Sequence, residues 1–244
     1  MLETKRLILR KWTEADDADL FEYAKDPDVG PIAGWPPHKS VEESRNVIKN
    51  VLNGAECYAV CEKGSNTAIG AIELILNGHT DVTKRDDECE LGYWLGKPFW
   101  GRGYIPEAAA ELIRRGFEDL GMTTVWCRYF DGNQKSKRVQ EKLGFVFHHT
   151  DSEVPVPLLD EVRTDLKGTA VDVGHLVGRD DGISSRHHRT LICKFHRGNA
   201  PFTHTLRRRR RLNYLDYSIT AEKQQESAET ESERDLGHQS TKIK

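Results

Sequence analysis

The sequence predicts an α/β fold, a mixed sheet flanked by helices, and three observations carry the prediction. The stretch Phe99-Trp100-Gly101-Arg102-Gly103-Tyr104 lies between an apolar, strand-like run and an amphipathic, helix-like one. Residues 88–144 change periodicity in the order strand, loop, helix, strand, helix. The chain ahead of them carries two helix-start signatures and a hairpin signature.

Taken in order, the first strand lies in Thr4-Lys5-Arg6-Leu7-Ile8-Leu9-Arg10 and two helices follow it. Thr13-x-x-Asp16 resembles a capping box ahead of Leu20, Phe21 and Ala24, and Ser40-x-x-Glu43 is a full one ahead of Val47, Ile48, Val51 and Leu52. Between them, Gly30-Pro31-Ile32-Ala33-Gly34-Trp35-Pro36-Pro37-His38 is too rich in Pro and Gly to be regular. Strands from Glu56 to Glu62 and from Thr67 to Leu76 form a hairpin around Gly64-Ser65-Asn66. Glu88 to Leu95 reads as a strand whose small Gly92 predicts a bulge or a close approach of backbone to a ligand. Pro106 suits the first turn of a helix in which Ala109, Leu112, Ile113, Gly116, Phe117 and Leu120 recur at helical spacing, with Gly121 as its stop. A strand from Thr123 to Arg128 follows, then Asn133 and a helix through Val139 and Leu143 that ends at Gly144.

The Gly101-Arg102-Gly103 loop is the most informative of these. Glycines one residue apart allow a tight turn with no Cβ in the way, so successive N–H groups at a helix start can face one anion. A plain turn that satisfies the helix's orphan amides is the competing reading. A dinucleotide fold is excluded, because the third glycine position is taken by Pro106, and no Walker lysine follows the loop.

Composition narrows the class. No apolar run approaches the ~20 residues that cross a bilayer, and Glu3, Lys5 and Arg6 occupy the place of a signal peptide's apolar core, so a cytoplasmic protein is expected. Cys57, Cys61, Cys89, Cys127 and Cys193 are scattered, with no CxxC pair, which points to reduced and mostly buried thiols. No metal site is expected: adjacent residues in a strand face opposite sides, so His148 and His149 should not share an ion. A net charge of -3 over 244 residues indicates neither a nucleic-acid nor a membrane partner for the whole chain.

Four ordered motifs resemble the GNAT superfamily of N-acetyltransferases, in the branch of the ribosomal-protein N-terminal acetyltransferases. They are the opening Thr4 to Arg10, Glu90-Leu91-Gly92-Tyr93-Trp94-Leu95, Trp100-Gly101-Arg102-Gly103-Tyr104 with Glu107-Ala108 behind it, and Asn133-x-x-Ser136 leading to Glu141-Lys142-Leu143-Gly144-Phe145. The resemblance covers residues 2 to about 163 and implies a sheet of six to seven strands with four helices. It implies an acyltransferase that moves an acetyl group from acetyl-CoA to a primary amine, a protein N-terminus or a small molecule, by direct attack in a ternary complex. A monomer or homodimer is expected. The family's loop pattern begins with Gln or Arg where this chain has Pro98. The resemblance places CoA on Trp94, Leu95, Trp100, Gly101, Arg102, Gly103, Tyr104, Ile105, Asn133 and Ser136, and the acceptor near Trp35 and His38.

Acetyl transfer needs an amine that loses a proton, a polarised carbonyl and a stabilised thiolate. Glu90 shares the parity of Gly92 and Trp94 and is the first choice for the base; an edge charge in the acidic run from Asp86 is the competing reading. Backbone amides near Trp94 and Leu95, freed by a bulge, would serve the carbonyl. Many family members carry a tyrosine seven residues after the position of Asn133, but this chain has Gln140, which leaves Ser136 for the thiolate, against a role as a helix cap. Asn133 is expected on the pantetheine arm, against helix capping.

The composition breaks near Thr164. Every tryptophan lies before it, whereas Arg207 to Arg211, an acidic run from Glu222 to Asp235 and six of the ten histidines lie after it. Residues 164–244 therefore read as an atypical extension, either a selected one or an accidental sequence, without packed structure towards its end. The domain's last strand is expected at residues 171–177, with residues 190–196 as the alternative, because Asp165-Leu166-Lys167 does not look like a strand continuation. Two other functions stay open: an acyl-CoA-binding module without turnover, and a nucleic-acid-associated protein acting through Arg207 to Arg211.

Overall fold

The computed structural model describes residues 1–171. Eight strands form one sheet: β1 (Leu2–Glu3), β2 (Leu7–Arg10), β3 (Cys57–Glu62), β4 (Ala68–Leu76), β5 (Glu88–Leu95), β6 (Thr124–Phe130), β7 (Val146–Val156) and β8 (Glu161–Val171). Their spatial order is β1-β2-β3-β4-β5-β6-β8-β7, one strand more than the expected maximum because the two-residue β1 joins the edge. The helices are α1 (Asp17–Ala24), the single turn α2 (Gly30–Ala33), α3 (Val41–Asn50), α4 (Tyr104–Glu118) and α5 (Gln134–Lys142). All neighbouring strands are antiparallel except β5 and β6, which α4 connects as a parallel pair.

Alternation divides the side chains between two cores. On one face Leu7, Leu9, Ile72, Leu74, Leu91 and Val125 meet Ala108, Ala109, Leu112 and Ile113 of α4. On the other, the small Ala59, Cys61 and Ala71 lie under Leu20, Ala24 and Ile48 of α1 and α3. Four cysteines, Cys57, Cys61, Cys89 and Cys127, are buried free thiols, while Cys193 lies outside the described residues. No helix among the described residues is long and apolar enough to cross a membrane.

The local signals work through identifiable bonds. The Thr13 N–H donates to Asp16 at 2.8 Å, which starts the short turn ahead of α1. Ser40 Oγ accepts the Glu43 N–H at 3.1 Å, but Glu43 returns its carboxylate to the Lys39 N–H rather than to Ser40. The Pro/Gly-rich stretch after α1 is more regular than expected, since Pro31 sits in the first turn of α2 and Gly34 ends it with φ 98°.

Three expectations are corrected. The strand beside β6 is Glu161–Val171 and not residues 171–177; residues 172–177, 190–196 and 207–211 lie outside the described residues. The charges that argued against a strand there find partners: Lys167 pairs with Asp151, and Asp165 lies 3.7 Å from Arg128. No bulge interrupts β5 against β4, whose register runs unbroken from Gly70↔Leu95 to Leu76↔Cys89. Finally, a register shift between Phe147 and His149 turns two adjacent side chains of β7 to one side, so the His148 and His149 rings meet with their Nδ1 atoms 2.7 Å apart, against Trp126.

Candidate active site

The loop before α4 is an amide nest. Gly101 and Gly103 take φ 77° and 76°, a left-handed conformation that side chains with a Cβ rarely adopt, and nothing lies within 4 Å of where a Cβ on Gly101 would be. The N–H groups of residues 101–105, Gly101 to Ile105, make no hydrogen bond among the described residues. Their direction is set from behind. The Arg6 guanidinium donates to the carbonyls of Arg102 at 2.9 Å and Gly103 at 3.2 Å. A trans peptide holds its N–H opposite its carbonyl, so the amides of Gly103 and Tyr104 point away from Arg6. Glu107 holds Arg6 in turn at 2.6 Å, and also accepts from the Thr4 hydroxyl at 2.6 Å. This explains why the opening Thr4-Lys5-Arg6 and the distant Glu107 belong to one motif.

A cavity of about 810 Å³ begins at this nest and continues through the sheet. Its passage exists because β5 and β6 pair from Glu88↔Thr124 to Glu90↔Trp126 and then part, leaving the β6 side of β5 from Leu91 to Leu95 without a ladder partner among the described residues. The groups freed near Trp94 and Leu95 therefore come from diverging strands. The Leu95 carbonyl is taken by Trp100 Nε1 at 2.7 Å, which ties the strand to the loop. From α5, Lys135, Arg138 and Lys142 also line the cavity, with Lys135 Nζ 3.8 Å from the Trp100 ring centre.

Asn133 and Ser136 line the cavity where α5 begins. Asn133 Oδ1 caps the helix by accepting the Ser136 N–H at 3.1 Å. Ser136 Oγ lies 2.7 Å from the Tyr93 hydroxyl, whose ionisation burial pushes well above the usual tyrosine range. Gln140, which stands where many family members carry a tyrosine, is buried with no hydrogen-bond partner for Nε2 among the described residues, and Tyr93 reaches the same helix from β5 instead.

Beyond the passage, the wall carries acids and tryptophans. Trp35 meets Trp94 edge-on, with centroids 5.9 Å apart. His38 does not line the cavity; it stands behind Trp35 at 5.4 Å, with Nδ1 2.8 Å from Ser44 Oγ, and burial lowers its pKa. Glu90 is 3% exposed. One of its oxygens lies 2.7 Å from Arg128 Nε, and the other accepts from Thr80. Arg128 also lies 3.0 Å from Asp81. Asp165 is 1% exposed, and burial pushes its carboxyl up to about 6 despite Arg128 and Lys167. Glu73 of β4 completes the wall: burial, then the neighbouring Glu90 charge, push it up to about 7.

The sequence profile of the acetyltransferase (GNAT) domain matches residues 6–146, from Arg6 to the first residue of β7. The chain belongs to the GNAT family and is an N-acetyltransferase. Among its relatives is the uncharacterized N-acetyltransferase p20 of Bacillus licheniformis, 31% identical over 150 residues, which covers 59% of this chain and 81% of p20. The solved structure of a GNAT-family acetyltransferase from Bacillus anthracis superposes with a TM-score of 0.61 at 22% identity, covering 70% of this chain and 97% of that one. The ribosomal-protein-S5-alanine acetyltransferase of Vibrio fischeri shares the fold, with a TM-score of 0.53 at 18% identity over 70% of this chain and 96% of its own.

For this GNAT protein the structure gathers Trp35, Glu90, Trp94, Leu95, Trp100, Gly101, Gly103, Tyr104, Ile105, Asn133 and Ser136 around one cavity. Arg102 contributes its backbone between the two glycines, and its guanidinium lies 5.2 Å from the Phe99 ring. Sequence reasoning missed Glu73, Tyr93, Arg128 and the cations of α5. The last were legible as a basic stripe at i, i+3 and i+7, whereas the others acquire meaning only through strand register.

Proposed function

We propose that this N-acetyltransferase transfers the acetyl group of acetyl-CoA, the family's donor, to a primary amine by direct attack in a ternary complex. The observation that carries the reading is continuity: one cavity joins the amide nest at Gly101 and Gly103 to the acid-lined wall at Glu90 through the gap between β5 and β6. The donor set suits CoA chemically, since unpaired amides at a helix start and the cations Lys135, Arg138 and Lys142 match phosphate groups. When bound, the thioester supplies an activated acetyl group.

The chain's own groups divide the remaining work. The unpaired edge of β5 between Leu91 and Leu95 offers N–H donors to a polarised carbonyl oxygen. Ser136, held against Tyr93, offers a hydroxyl to the leaving sulfur. Trp35 and Trp94 enclose the acceptor, with His38 fixing Trp35 from behind. Glu90, held by Arg128, presents a fixed negative charge that attracts an ammonium group. The acidic wall fits a cationic amine, either a protein N-terminus or a small molecule, in a cytoplasmic setting.

The test is thiol release from acetyl-CoA with a panel of primary amines, including peptides with free N-termini. A ternary mechanism gives intersecting initial-rate patterns, and a covalent enzyme intermediate gives parallel ones. CoA binding without thiol release from any amine would support a binding module without turnover.

A further inference from the structure

The requirement that is hardest to meet in this cavity is a group able to accept a proton. An acceptor amine is protonated near neutral pH, and a general base needs an accessible lone pair and a pKa near the working pH. Glu90 has the position but not the freedom: Arg128 engages one oxygen at 2.7 Å and Thr80 the other. Both oxygens are thus already engaged by donors, and neither is turned freely towards an incoming amine. Asp165 is almost wholly buried and faces Arg128 and Lys167.

Glu73 differs in each respect. Strand register places it opposite Gly92, on the face of the sheet that also carries Glu90 and Trp94. Gly92 has no side chain, and the Glu73 carboxylate fills that space, with Oε1 3.2 Å and Cγ 3.3 Å from where a Cβ would stand. Glu73 therefore leans across β5 at the level where β5 has already parted from β6, and it lines the cavity. The groups facing it are the Cys57 thiol from β3 and the Glu90 carboxylate from β5; among the described residues no lysine or arginine offsets its charge. Arg128 of β6 and Asp165 of β8 lie beyond Glu90.

We propose that Glu73 takes the proton from the acceptor amine, and that Glu90 beside it serves as the fixed charge that holds the ammonium. The assignment rests on the acetyl-transfer reading above. The step balances without a further reactant. The ammonium gives one proton to the Glu73 carboxylate, and the nitrogen lone pair forms the new C–N bond as the C–S bond breaks. The second proton of that nitrogen goes to the departing sulfur by way of Ser136, and Glu73 returns its own proton to solvent. The carboxyl, held up to about 7 by burial and by Glu90, suits both halves of this cycle.

The experiment compares Glu73→Gln and Glu90→Gln in the full chain, using an acceptor whose own pKa lies above 9. Thiol release is followed from pH 5 to 9, with CoA affinity measured by calorimetry. The expected result for Glu73→Gln is a fall in kcat of ~10²-fold and loss of the acid limb near pH 7, with CoA affinity unchanged. In Glu90→Gln the limb survives and moves to lower pH, because the charge that raises the Glu73 pKa is gone, while KM for the amine rises. Thermal melting guards against misfolding: Glu73→Gln should melt at or above the wild-type temperature at pH 8, where the charged form is the costly one. Carboxyl NMR titration of Glu73 should give a midpoint near 7 without any turnover. Wild-type turnover with an intact limb in Glu73→Gln, or loss of the limb in Glu90→Gln alone, would overturn the assignment and leave acetyl transfer standing. A wild-type chain that releases no thiol with any amine would instead defeat the transferase reading itself, and the assignment with it.

Discussion

The half of the cavity that meets α4 and the half that lies beyond β5 are made of opposite materials. At α4 the lining is backbone, N–H groups exposed by two left-handed glycines, with the cations of α5 across from them. Beyond β5 it is side chain, with Glu90, Asp81 and Asp165 gathered from different strands and loops around the guanidinium of Arg128, and Glu73 beside Glu90. The first half can be specified by a few consecutive residues. The second exists only once the strands have taken their register, and it retains carboxyl groups that would be more stable elsewhere. Binding an unchanging cofactor and activating a variable amine place different demands on a fold, and under the proposed function the two constructions would answer them separately.

Breaking the acceptor half should therefore be felt in stability. Arg128→Met leaves Glu90 and Asp165 buried without their shared cation, and the expected loss is ~3–5 kcal/mol in denaturant unfolding. If the variant is as stable as the wild type, the carboxyl cluster does not depend on Arg128.

Breaking the cofactor half should be felt in affinity. Gly103→Val forces a β-branched residue to φ 76° and disturbs the amides proposed to hold the phosphates, which should weaken CoA binding by ~1–3 kcal/mol. Calorimetry that returns an unchanged affinity would remove the nest from the cofactor site.

A pH experiment sharpens the contrast. Burial pushes the Asp165 carboxyl up to about 6 in the folded chain from its ordinary 3.8, so the neutral form is favoured. Its contribution to stability is fully present below pH 3.8 and is lost as pH rises through 6. A rise of that size corresponds to ~3 kcal/mol. Asp165→Asn should accordingly melt above the wild type at pH 8, and the gap should close by pH 4; a constant gap would show that ionisation is not its cause. The smallest expected effect is on the α5 cations. Arg138→Ala should reduce CoA affinity no more than about fivefold at low salt, with the difference vanishing in high salt.

What the sequence disclosed follows the same division. The amide nest, α4 and the Asn133 cap were legible because consecutive residues specify them: glycine spacing, helical periodicity, an oxygen placed three residues before an N–H. Glu73 was not, since a lone acid in the apolar run from Ala68 to Leu76 shows its meaning only when Gly92 is known to be its partner. β8 was misplaced because Asp165 and Lys167 look unsuited to a central strand until Arg128 and Asp151 are set beside them. His148 and His149 broke the alternation rule through a bulge that no local residue announces.

The position of β8 also bears on how the protein is made. It is the last described strand in the chain, yet it lies between β6 and β7, so synthesis from the N-terminus completes the sheet from within. Until residues 161–171 leave the ribosome, β6 keeps an open edge and Arg128 lacks Asp165. A nascent chain at that stage already has the residues of the glycine loop before α4 and of β5, but not the strand that joins β6 to β7. The interval before the final hairpin closes is thus when the chain is most open to pairing with another copy of itself, and slowed translation across residues 157–171 would lengthen that exposure.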